Sequence, residues 1–254
     1  MSLRTNYKTA YIVAFTGVGA ALYFVLLFLP NIPVLGTPAS MDIGASLSPL
    51  FGLLLGPVAG PLAVLIGNTA QTLLPTPSLY LIPFIPAAAL SALTASLLVT
   101  RKWWITCVTL LVILIASMFT PPFYPLTEQW LVYTIAFYDK VVALIIIPLV
   151  INMIRSTSSK LRYIGLYGLF FVAREVDKAF GCFIFAVPIV YEGIYGLSDI
   201  EYIRSLYMIS PLYYLVTYLL EALIVTIIAI PTIKVIKKVP GLSGLLYVDK
   251  VKIS

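Results

Sequence analysis

The stretch GLLLGPVAGPLAVLIGN, residues 52–68, decides how this chain folds. It is almost wholly apolar, yet it holds two prolines and four glycines and ends on an asparagine. It is either one interrupted membrane span or the tight corner between two spans. Reading apolar runs against polar punctuation gives segments over 8–29, 44–56, 58–75, 79–99, 103–120, 131–153, 161–189 and 208–235. The main basic clusters at the ends of the apolar runs are Arg4 and Lys8, Arg101 and Lys102, Arg155, Lys160 and Arg162, and Lys234, Lys237 and Lys238. With eight segments and an inside N-terminus, all these clusters fall on the cytoplasmic side, and the outer loops keep only Arg204. A single span over 44–75 would push the later clusters outside, against the bias of Lys and Arg toward cytoplasmic loops. A hairpin is therefore expected, with Pro57 and Pro61 at its corner. Segment 44–56 is short against the ~20 residues of a full crossing, which suits a short or inclined helix lining a cavity. Gly52, Gly56 and Gly60 form a GxxxGxxxG ladder that lets backbones come close.

Composition supports the same class. Of 254 residues, 61% are hydrophobic and only 10% charged, against roughly 25% charged in a soluble domain. Apolar runs of spanning length recur from end to end. The expected fold is an all-α, polytopic transmembrane helix bundle, forming a single integral membrane domain over residues 1–254. No linker, low-complexity segment or internal repeat marks a second domain. The net charge of +6 reads as basic cytoplasmic loops, not as a nucleic-acid surface. The N-terminal apolar run exceeds a signal-peptide core, so a retained first helix is expected. Both termini are then cytoplasmic, in a multi-pass protein of the cell membrane. Histidine is absent, which removes the commonest general base and metal ligand. Cys107 and Cys182 stand alone in apolar sequence and read as small packing residues. No metal, cofactor or catalytic residue is expected.

Polar and ionisable residues are concentrated well inside four segments. Asn68 and Gln71 lie in the third segment, Asp139 and Lys140 in the sixth, Glu221 in the eighth, and Arg174, Glu175, Asp177 and Lys178 in the seventh. An ionisable residue inside a bilayer costs several kcal/mol unless paired or hydrated, so each is a functional candidate. At about 1.5 Å per residue, these groups converge at mid-depth or somewhat above. Arg174 and Lys178 share a face one turn apart, Asp177 is three residues from Arg174, and Glu175 can reach Lys178. One reading pairs the groups as structural ion pairs: Arg174 with Asp177, Glu175 with Lys178, and Asp139 with Lys140 or another neighbour. The favoured reading is a polar cavity for a small charged or zwitterionic ligand, lined by Asn68, Asp139, Lys140, Arg174, Asp177, Lys178 and Glu221. In it, Arg174 and Lys178 hold an anionic or carbonyl-rich part of the ligand.

The stretch MDIGASLSPLFGLLLGPVAGPLAVLIGNTAQTLL, residues 41–74, resembles the second and third helices of the substrate-binding S-components of energy-coupling factor (ECF) transporters. Riboflavin-type members have an acidic residue after an outer loop, a short helix, a GPxAG corner and a third helix ending in a polar residue. Asp42, Gly56-Pro57-x-Ala59-Gly60 and Asn68 match that pattern. In the first helix, Ala10 and Ala14 form an AxxxA pair similar to the small-residue motif that docks S-components on their coupling subunit. The resemblance implies capture of a vitamin or similar micronutrient without chemistry. Its implied partners are a transmembrane coupling subunit, separate ATPase subunits and membrane lipid, with no nucleic acid. No Walker A sequence occurs in the chain, consistent with ATPase activity on another subunit. S-components commonly have six helices where eight segments are read here, so the chain reads as a divergent member with two added helices or as a relative with another role. The alternative is an ion-coupled secondary transporter for a small polar solute, in which Asp139, Glu175, Asp177 or Glu221 carries protons or sodium.

Overall fold

A computed structural model describes residues 3–33, 40–100, 102–239 and 247. Arg101, one of the basic residues counted above, lies outside the described residues. The first helix, α1 (Leu3–Leu26), is followed by a short antiparallel pair, β1 (Asn31–Pro33) with β2 (Ser40–Asp42). Asn31 stands opposite Asp42, and Pro33 opposite Ser40, in a segment the sequence reads only as loop. A 3-10 turn (Ile43–Leu47) leads into α2 (Ser48–Leu73). There follow α3 (Ile85–Leu98), α4 (Trp103–Ser117), α5 (Leu126–Arg155), α6 (Ser159–Phe185), the single turn α7 (Pro188–Tyr191) and α8 (Ile200–Lys238). The fold is an all-α membrane bundle, as expected.

α2 is two limbs folded against each other. Gly56 has φ 87° and ψ −174°, a backbone conformation that glycine alone adopts without strain. A Cβ built on Gly60 would lie 2.7 Å from the Cα of Gly52 and 2.7 Å from the carbonyl of Phe51. Along a continuous helix, those residues would be about 12 Å apart. The hairpin reading therefore holds, and the glycine ladder is its seam. The corner falls on Gly56, one residue before the expected prolines. Pro57 opens the second limb, where a missing N–H costs little, and Pro61 lies four residues further along it.

Three stretches among the described residues have the length and apolarity to cross a membrane: Ile43–Leu73, Leu126–Arg155 and Tyr214–Lys238. The first is long only because it contains both limbs of the hairpin. α1, α3 and α4 contribute shorter apolar stretches. α6 is long enough at 27 residues but carries four charged groups in its middle. Every residue from Leu169 to Asp177 in it is buried, so no face of that turn meets lipid. α6 is the central helix of the bundle, packed against α2, α3, α4, α5 and α8. The outward faces are apolar, with Val108, Val112, Ile145, Leu149, Ile224 and Ile227 exposed.

The turns are tied together in two groups, as the alternation of eight limbs requires. At one face, Arg155 Nη2 donates to the carbonyl of Thr100 (3.1 Å), joining the α5–α6 and α3–α4 turns. The Tyr247 ring lies against Gly56 at the hairpin corner. At the other face, Tyr195 Oη donates to the carbonyl of Tyr80 (3.0 Å) and Arg204 Nε to that of Pro122 (3.1 Å). α8 begins eight residues before the expected start at 208, because the Asp199 side chain caps it by accepting from the Glu201 amide (2.9 Å).

Candidate binding site

Arg174 is fully buried in the middle of α6 and joins three parts of the chain. Its Nε donates to Glu221 Oε2 on α8 at 2.8 Å. Its Nη1 donates to Asp177 Oδ2 one turn further along α6, and to the carbonyl of Ala45 in the 3-10 turn at 3.2 Å. Among the described residues, Nη2 has no hydrogen-bond partner, and neither has Glu221 Oε1. The planar fork of arginine suits such divided duty, since its donors point in fixed and separate directions. Tyr23 of α1 is fully buried and edge-on to Phe51 of α2.

A second set of charges adjoins the first. Lys140 Nζ donates to Asp139 Oδ2 at 2.7 Å, and both residues are buried on α5. Glu175 is fully buried on α6, and neither carboxylate oxygen accepts a hydrogen bond from the described residues. The charges of Lys140, Asp139, Lys178 and Arg174 all act on it. Lys178 is half-buried, with Nζ 5.3 Å from the centre of the Tyr218 ring on α8, a distance at which an ammonium is attracted by the ring face.

Six of the seven site residues expected from sequence thus lie around α6. Asp139 and Lys140 come from α5, Arg174, Asp177 and Lys178 from α6, and Glu221 from α8. Asn68 is engaged elsewhere, its Nδ2 donating to the carbonyl of Ile85 at 3.0 Å and fastening the hairpin to the start of α3. Arg174 already faces two carboxylates, so only Nη2 remains to meet an anion. The sequence-based site leaves Glu175 out, although it stands in the same AREVDK run. The Ala45 carbonyl gives no sequence signal at all. Tyr218 is signalled only by its place one turn before Glu221.

A set of aromatic rings links the turns before α3, α5 and α8. Tyr80 meets Tyr195 (5.2 Å), Tyr195 meets Phe185 (5.3 Å), and Tyr207 meets Phe123 (4.8 Å), which also touches Tyr133 and Phe137. Tyr207 Oη donates to the carbonyl of Cys182 at 2.7 Å. Burial pushes the Tyr195 hydroxyl up to about 12, so it remains a donor to Tyr80 at any physiological pH.

Compared with known families, residues 7–161 match the ECF-type riboflavin transporter S component. The chain belongs to that family. Neither the curated proteins nor the solved structures contain a match to it. An S component is a substrate-binding subunit of a transporter, not a class of enzyme, and it acts with the other components of an ECF complex. The matched residues run from α1 through both limbs of α2 to α3, α4 and α5, which makes six limbs. α6 and α8 lie almost wholly beyond the match. Of the residues discussed, Asn68, Asp139 and Lys140 lie within the matched region. Arg174, Glu175, Asp177, Lys178 and Glu221 come from the two further helices.

Proposed function

We propose that this S component captures a vitamin or similar micronutrient among α5, α6, α8 and the 3-10 turn before α2. It would then deliver the ligand by reorienting against a coupling subunit driven by separate ATPases. The family match over six limbs carries this reading. The whole chain acts as one integral membrane domain, with both termini and the Gly56 corner at the cytoplasmic face, as the distribution of Lys and Arg requires. The docking surface is the outer face of α1. Ala10, Ala14, Gly17 and Ala21 share one helix face, all are exposed, and a Cβ on Gly17 would meet nothing within 4 Å. Small residues there let a partner helix approach closely. The site residues are Asp139, Lys140, Arg174, Asp177, Lys178 and Glu221. Asn68 acts from a distance by holding the hairpin against α3.

The test is reconstitution in proteoliposomes with and without the coupling and ATPase subunits, offering a panel of labelled vitamins that includes riboflavin. ATP-dependent accumulation of one vitamin, only when every subunit is present, is expected. Accumulation by this chain alone under a proton or sodium gradient would replace the reading with the ion-coupled one.

A further inference from the structure

The Arg174 and Glu175 surroundings hold more negative than positive charge. Among the described residues, four buried carboxylates (Asp139, Glu175, Asp177 and Glu221) face three cations, Lys140, Arg174 and the half-buried Lys178. The cations are largely committed: Lys140 to Asp139, and Arg174 to Asp177 and Glu221. Both oxygens of Glu175 and one of Glu221 accept no hydrogen bond, although these residues are 0% and 4% exposed. Only one donor of the group, Arg174 Nη2, is similarly unspent. A buried carboxylate without a partner is costly, by several kcal/mol after relaxation.

Three things could complete such a group. Water can donate to the oxygens but leaves the excess charge in place. A proton on Glu175 removes the charge but leaves the remaining oxygens of Glu175 and Glu221 without donors. A cationic nitrogen compound supplies both charge and several donors at once. We propose that the ligand of this protein is a compound with a positively charged nitrogen centre, received by Glu175 with help from Glu221. It also carries one acceptor that meets Arg174 Nη2. This rests on the solute-binding reading above and narrows it. It reverses the sequence-based expectation that the cations hold an anionic ligand.

The full chain, purified in lipid nanodiscs, is to be titrated by calorimetry with thiamine and choline (cations), riboflavin (neutral), and biotin and pantothenate (anions). Binding confined to a cation is expected, weakened roughly 30-fold or more by Glu175→Gln, since loss of a buried charged partner typically costs at least that much. Binding of riboflavin or of an anion would overturn the proposal and leave the S-component reading standing. So would cation binding that Glu175→Gln does not weaken. If Glu175→Gln does not fold, the charge preference of the unaltered protein still decides. Binding of none of the five would instead overturn the solute-binding reading itself.

Discussion

Replacing Gly52 with alanine tests the packing of the hairpin directly. A Cβ at position 52 would lie 1.7 Å from the carbonyl oxygen of Ala92 and 2.5 Å from its carbonyl carbon, both backbone atoms of α3. Ordinary contact begins at 3.4 Å, so α3 must retreat by about 1.7 Å at that point or the hairpin limb must tilt. Neither element can yield cheaply, because the opposite side of the limb is pressed on Gly60. Overpacking a well-packed interior costs about 1–3 kcal/mol, occasionally more, and a backbone obstacle places Gly52→Ala at or above the upper end. At roughly 2–4 °C per kcal/mol for a chain of this size, melting should fall by about 6–12 °C. Two controls grade the effect. Gly168→Ala meets the Val150 Cγ2 methyl at 2.7 Å, which can rotate away, and should lose much less. Gly17→Ala meets nothing within 4 Å and should melt with the wild type. Intrinsic-fluorescence melting in detergent decides, and a Gly52→Ala protein as stable as Gly17→Ala would refute the close contact of the hairpin with α3.

Arg174→Gln should destabilise by on the order of 3–5 kcal/mol, because it strands Asp177 and Glu221 in the interior. The double variant with Glu221→Gln should recover part of that loss in a thermal double-mutant cycle, and strict additivity would argue against the pair. Ala14→Trp should abolish reconstituted uptake while leaving ligand affinity within about twofold, because the change lies on the exposed face of α1; equal loss of both would place Ala14 in internal packing. A cysteine at Lys102 should be labelled by an impermeant maleimide only from the cytoplasmic side, and labelling from outside would invert the orientation.

What the sequence could convey was local chemistry and the side of the membrane on which charges fall. The hairpin was legible because proline, glycine and the parity of basic clusters all constrain the same few residues. Gly56 itself needed the backbone geometry, since either proline was an equally good corner on paper. The Asp139–Lys140 and Arg174–Asp177 pairs were legible because their members are one and three residues apart on a helix. Arg174–Glu221 was not, because 47 residues separate the partners and the contact depends on how α6 and α8 pack. The same distance effect hides part of the site: sequence places Arg174 and Lys178 on one face but cannot show that Arg174 already faces two carboxylates. Polarity and depth alone mark Asn68 in the sequence, and only the structure shows that its amide spans the seam to α3. The β1–β2 pair escaped because three-residue strands containing proline leave no periodicity to read.

The burial of α6 on every side bears on how this protein can be cut and joined. A chain trimmed to residues 7–161 would have the length of its family signature but would expose the inner faces of α3, α4 and α5. It would also remove Glu175 and Glu221 while uncovering the buried Asp139–Lys140 pair. Such a fragment should aggregate or be degraded instead of inserting as a minimal receptor. The two further helices must therefore be inherited, exchanged or deleted together with the surfaces that enclose them.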